Sequence, residues 1–168
     1  RNVFFLEGNH EFFVAKNYPA AFTSCEANLL FYEDLIFAHG DLIQRKQFDH
    51  LLFRRFSKSS FAYFLLKYLP FSRQLVACIQ NLMRKKAKKY VNVVPLKEIK
   101  YWAKKQEFPL GYKLFLGHFH QAYSDEESAV QLYCLPAWRA SREIALYKKD
   151  SKTCKFLHWK ELTKDLNY

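Results

Sequence analysis

The chain alternates short apolar runs with polar clusters, and the runs change period along its length. It opens on Asn2-Val3-Phe4-Phe5-Leu6, closed by Gly8. An aromatic and β-branched run that stops at glycine predicts a strand and then a loop. So apolar a strand reads as interior, which predicts further residues upstream of Arg1. Leu29-Leu30-Phe31-Tyr32 and Leu35-Ile36-Phe37-Ala38 flank Glu33-Asp34, the pattern of two strands joined by a tight polar turn. The second strand runs into His39-Gly40-Asp41.

Between 45 and 90 the period becomes helical. Phe61, Phe64, Leu65, Tyr68 and Leu69 repeat at i, i+3, i+4, i+7 and i+8, with Pro70 to end the helix. Ser72 is an expected N-cap for a second helix carrying Leu75, Val76, Ile79, Leu82 and Met83. That helix runs into Arg84-Lys85-Lys86-Ala87-Lys88-Lys89, so the pair predicts an apolar and then strongly basic helical hairpin. Pro95 predicts the start of another helix, with Leu96, Ile99 and Trp102-Ala103 on one face. Lys113-Leu114-Phe115-Leu116 is strand-like and delivers Gly117-His118-Phe119-His120, and further strand-like runs lie near 130–134, 143–148 and 154–158. The expected class is α/β, one domain over 1–168 with a helical insertion at 45–90.

With 168 residues, half of them apolar, the chain can bury a core and is not a disordered composition. Cys25, Cys78, Cys134 and Cys154 are far apart and form no C-x-x-C pair, so they read as small buried residues of a reducing compartment. Charge is unevenly spread. Residues 42–105 hold 16 basic and 2 acidic side chains, against 2 and 6 in residues 1–41. The excess of +11 therefore belongs to the middle of the chain, where it suits an anionic partner or forms a solvated face.

Three motifs share one arrangement: Gly8-Asn9-His10-Glu11, His39-Gly40-Asp41 and Gly117-His118-Phe119-His120. Each follows an apolar strand, so its ligand-type side chains sit on a rigid support at a sheet edge. Neutral imidazoles and an amide oxygen suit Mn²⁺, Zn²⁺ or Fe²⁺. Each motif alone is a common turn or an alternating strand; the order and context of all three carry the signal.

From residue 4 to about residue 147 these motifs resemble those of the calcineurin-like metallophosphoesterases, GNH with an acid, HGD and GHxH. The resemblance implies a layered β-sandwich flanked by helices and two divalent metal ions, Mn²⁺ foremost. It implies that Asn9, His39 and His118 bind one ion and that His120 helps to bind the other. His10 would lie by the scissile phosphate, oriented by Glu11. Paired cations clamp a phosphoryl group and activate water, so no side-chain nucleophile is needed. The family also carries an upstream D-x-H and G-D-x-x-D, which this sequence lacks.

Within that superfamily the insertion resembles the helical cap of the UDP-2,3-diacylglucosamine diphosphatases. The similarity lies in Phe53-Arg54-Arg55-Phe56, in the stretch around Leu69-Pro70, in 73–89 and in Leu135-Pro136-Ala137-Trp138. It implies hydrolysis of a lipid-linked nucleotide sugar to a lipid sugar phosphate and UMP, in lipid A biosynthesis. Arg73, Arg84 and Lys85 are the expected substrate-binding cations. The expected setting is cytoplasmic, peripheral on the anionic inner face of the inner membrane, without nucleic acid as partner. His10 stands where those diphosphatases carry Arg. A nuclease or nucleotide phosphatase using the same metals, or a scaffold relative without catalysis, are the competing readings.

Overall fold

The structure is a computed structural model that describes residues 2–8, 11, 13–43, 55–87 and 94–165. The chain falls into two compact units, 1–29 with 41–91 and 30–40 with 92–168. The protein is mixed α/β, with a mixed multi-strand sheet and six helices among the described residues. None of the described helices is long and apolar enough to cross a membrane.

The second unit is built on a five-stranded sheet. Its strands are β3 (Leu29–Tyr32), β4 (Leu35–Ala38), β5 (Lys113–Leu116), β6 (Tyr123–Asp125) and β7 (Gln131–Cys134), in the order β3-β4-β5-β7-β6. β4, β5 and β7 run parallel in direct register, Ala38 opposite Leu116 and Leu116 opposite Cys134, while β6 runs antiparallel to β7. Every residue of β5 is buried, as expected of a central parallel strand covered on both faces.

On one face Leu35, Phe115 and Tyr133 form a core against Phe37, Leu135, Tyr147, Cys154 and Phe156. Phe115 is stacked between Phe37 at 5.1 Å and Tyr133 at 4.9 Å, with Tyr147 edge-on at 6.2 Å. Tyr147, Cys154 and Phe156 come from a hairpin of β8 (Glu143–Lys148) and β9 (Thr153–His158), which covers that face. Helix α4 (Leu96–Lys105) starts after Pro95, as its sequence predicts, and buries Ile99 and Trp102. Two shorter helices, α5 (Trp138–Ser141) and α6 (Trp159–Asp165), flank the hairpin in sequence.

Lys113 is a buried cation at 3% exposure, and its Nζ donates to Asp34 Oδ2 at 3.2 Å. Asp34 sits in the β3–β4 turn, where Glu33 takes a left-handed φ of 54°. The hydrogen bond from Lys113 holds the Asp34 carboxyl below its ordinary range. Burial alone would lower the Lys113 pKa, but the bond to Asp34 and nearby charge raise it above the usual lysine value. Burial pushes the Cys134 thiol up to about 12. Of the four cysteines expected as small buried residues, only Cys134 is buried; Cys25 and Cys154 are half-buried, and Cys78 is exposed on its helix.

In the first unit β1 (Phe4–Leu6) pairs in parallel with β2 (Ser24–Glu26), a partner that three residues without a period did not announce. The run 2–6 is shorter as a strand and less interior than its composition suggests: Val3 is 52% and Phe4 38% exposed. A four-residue helix α1 (Val14–Asn17) and a 3₁₀ turn (Pro19–Ala21) lie between the two strands.

The segment 45–90, expected as a cap, belongs to this unit. It carries α2 (Ser60–Tyr68) and α3 (Ser72–Ala87), the expected hairpin. Ser59 Oγ caps α2 by accepting from the Ala62 N–H at 3.1 Å. Helix α3 already includes Ser72, one position earlier than an N-cap serine would place it. The aromatic part of the predicted stripe of α2 turns outward: Phe61, Phe64 and Tyr68 are each at least 60% exposed, Leu65 is half-buried, and the buried position is Ala62. Tyr63 lies on the inner side, edge-on to Phe13 at 5.0 Å and under Lys16 Nζ at 3.6 Å.

Candidate metal centre

β4 and β5 are parallel neighbours, so their carboxyl ends lie side by side, and the residues that follow are delivered to one edge of the sheet. His39 follows Ala38 directly; His118 follows Leu116 after Gly117. The His39 carbonyl accepts from both the Gly117 N–H at 3.1 Å and the His118 N–H at 2.7 Å. These bonds carry the parallel ladder past the strand ends and set the second loop on the first. The imidazoles of His39 and His118 then meet edge to face, with ring centroids 5.3 Å apart.

Gly40 makes this approach possible. Its φ of +100° is a backbone conformation that side chains disfavour, and a Cβ there would stand 3.2 Å from His118 Cβ and 3.4 Å from the Phe119 ring. Phe119 is buried at 8% exposure and meets the His118 ring edge-on at 5.6 Å, so it wedges that ring from the side. His120 has a left-handed φ of 56° and is exposed, with its N–H reaching the Gly117 carbonyl at 3.5 Å. Asp41, the last residue of the second motif, is 3% exposed.

The structure thus brings His39 and His118 together and leaves His120 outward on the same loop. Asn9 and His10, expected as metal ligand and phosphate-side group, lie outside the described residues. Glu11 is described, and its Oε2 accepts from the Gly8 N–H at 2.7 Å. Arg73 is exposed in the first turn of α3, and Arg84 and Lys85 lie near its end with side chains outside the described part.

Two imidazoles at a strand edge are a donor pair for a borderline divalent cation, whose bonds to ring nitrogen run at about 2.0–2.1 Å. Among the described residues no group of three or more His, Cys, Asp or Glu is arranged to hold a metal.

A contact between Glu7 and Lys58 also shapes the first unit's loop. Glu7, at 5% exposure, accepts from Lys58 Nζ at 2.9 Å. The contact joins positions fifty-one residues apart, and nothing in the local spacing of either residue signals it.

The sequence matches no known protein-family model and no characterised protein.

Proposed function

We propose that this chain contributes part of the two-metal site of a phosphoesterase. His39 and His118, with the Asn9 amide, would hold one divalent ion, Mn²⁺ foremost, and His120 would help to hold a second. Such ions supply charge stabilisation for the phosphoryl oxygens and activation of the attacking water. His10 would stabilise charge on the phosphoryl oxygens or protonate the leaving group, oriented by Glu11. The chemistry assigned is hydrolysis of a pyrophosphate in a lipid-linked nucleotide sugar, of the UDP-diacylglucosamine kind, within a layered metallophosphoesterase fold.

The observation that carries this reading is the convergence of His39 and His118 at 5.3 Å, past the ends of adjacent parallel strands. A histidine pair that merely alternated along a strand would not bring imidazoles from two distant segments together.

The hairpin supports the substrate class. Phe61, Phe64, Tyr68 and Phe71 present aromatic surface, with Lys67 and Arg73 alongside. Contiguous exposed apolar surface marks an interaction site. Flanking cations near an anionic leaflet contribute about 1 kcal/mol each. The hairpin would rest on the inner face of a membrane, with Arg73, Arg84 and Lys85 toward the substrate phosphates.

The decisive test is His118→Ala in the full-length protein. Manganese titration calorimetry should show at least a tenfold loss of affinity, and release of UMP from UDP-diacylglucosamine should be abolished, with an unchanged far-ultraviolet circular dichroism spectrum. Undiminished manganese binding and turnover in that variant would overturn the assignment.

A further inference from the structure

Glu7 directly follows β1 and is nine-tenths buried, and a carboxylate removed from water needs a cation or hydrogen-bond donors. Lys58 Nζ donates to Glu7 Oε2 at 2.9 Å and to the Glu11 main-chain oxygen at 2.7 Å. An ammonium has three donors, and two are spent here on either side of the same short loop. Glu11 returns its own carboxylate to the Gly8 N–H at 2.7 Å. Residues 7 and 11 are therefore joined through one ammonium and residues 8 and 11 by a direct hydrogen bond, and those ties bracket the dipeptide Asn9-His10. The ammonium comes from fifty-one residues further along the chain. Lys58 directly precedes Ser59, the N-cap of α2, so the same residue joins the loop to the base of the helical hairpin.

We propose that Lys58 is a positioning residue, which clamps Glu7 and Glu11 on either side of the dipeptide Asn9-His10 and joins them to the base of the hairpin. The proposal rests on the two-metal reading for the part that Asn9 plays, but the clamp is a property of the described residues alone. Its chemistry is that of an outer-shell partner: such groups set the orientation of a ligand without touching the ion, and their loss costs about 10–100-fold in metal affinity. Lysine suits the task because its flexible stem lets one point charge serve a carboxylate and a carbonyl at once.

The test uses Lys58→Met and Lys58→Arg in the full-length protein. In Lys58→Met, amide hydrogen exchange at Gly8 should accelerate at least tenfold, while the amides of β4 and β5 keep their protection. Manganese affinity should fall about 10–100-fold, and Lys58→Arg should recover most of it. Should Lys58→Met fail to fold, Glu7→Gln removes the charge that Lys58 balances and should give a smaller loss of the same kind. A variant that loses thermal stability but keeps both Gly8 protection and manganese affinity has only a structural lysine, and the proposal falls. If the parent protein binds no manganese, the two-metal reading fails. The exchange at Gly8 still decides the clamp, which unchanged protection in Lys58→Met would refute.

Discussion

Phe115 on β5 and Phe64 on α2 are the same side chain, each in a regular apolar pattern, yet Phe115 is 3% exposed and Phe64 60%. The difference lies in what surrounds each element. β5 has strand neighbours on both edges and a hairpin of its own unit over one face, so Phe115 is stacked between Phe37 and Tyr133. On α2 the small residue Ala62 takes the inward position, and the larger aromatics are left outside. Apolar spacing thus marks which face of an element is distinct. It does not say whether the protein's own core or another surface will cover that face.

The sharpest way to break this comparison is to truncate both rings. Phe115→Ala removes a stacked ring from a close-packed core and should cost about 3–5 kcal/mol by urea unfolding. A loss below about 1 kcal/mol would mean that the sheet core collapses around the gap or is not packed as described.

An intermediate effect is expected at the edge of the same core, where Asp34 balances the buried Lys113. Asp34→Asn should cost about 1 kcal/mol at neutral pH, the scale of a hydrogen bond to a charged group reduced by solvent screening at the partly exposed carboxylate. The pH dependence has a definite sign. The Asp34 pKa is lowered by folding, so its contribution is complete above the ordinary carboxylate range and disappears as pH falls through the lowered value. Unfolding midpoints measured from neutral to acid pH should therefore converge for the parent and Asp34→Asn. A constant gap between the two would exclude the ion pair as the cause.

The smallest effect belongs to the hairpin. Phe64→Ala should change stability by no more than about 0.5 kcal/mol, as for exposed positions in general. Its consequence should instead be weaker binding to vesicles containing anionic lipid, read by co-sedimentation. If stability falls by as much as for Phe115, Phe64 is a core residue and the contrast between the two regions disappears.

Much of the local structure was readable because it follows from short-range rules. Leu29–Ala38 announced a hairpin through two β-rich runs around Glu33-Asp34, and Pro95 announced the start of α4. The strand runs near 130–134, 143–148 and 154–158 emerge as β7, β8 and β9. β2 and β6 were not readable, since three residues carry no period and a strand that short is defined by its neighbour. The outward turn of Phe61, Phe64 and Tyr68 was hidden because a helical stripe reads alike whether or not it is covered. Of the candidate site, His39 and His118 were marked by their position after strand runs. The clearance that Gly40 leaves for His118 and the Lys58 clamp were matters of distance in space.

By itself the sequence determined where the longer strands and the helices α2, α3 and α4 form, where the basic charge gathers and which side chains could bind a metal. These depend on residue type and on spacing over a few positions. Only the tertiary structure decided that β4 and β5 lie side by side, so that His39 and His118 face each other, and that Lys58 closes on Glu7. Both contacts join segments more than fifty residues apart, and they exist only once strand pairing and burial have fixed which distant segments become neighbours.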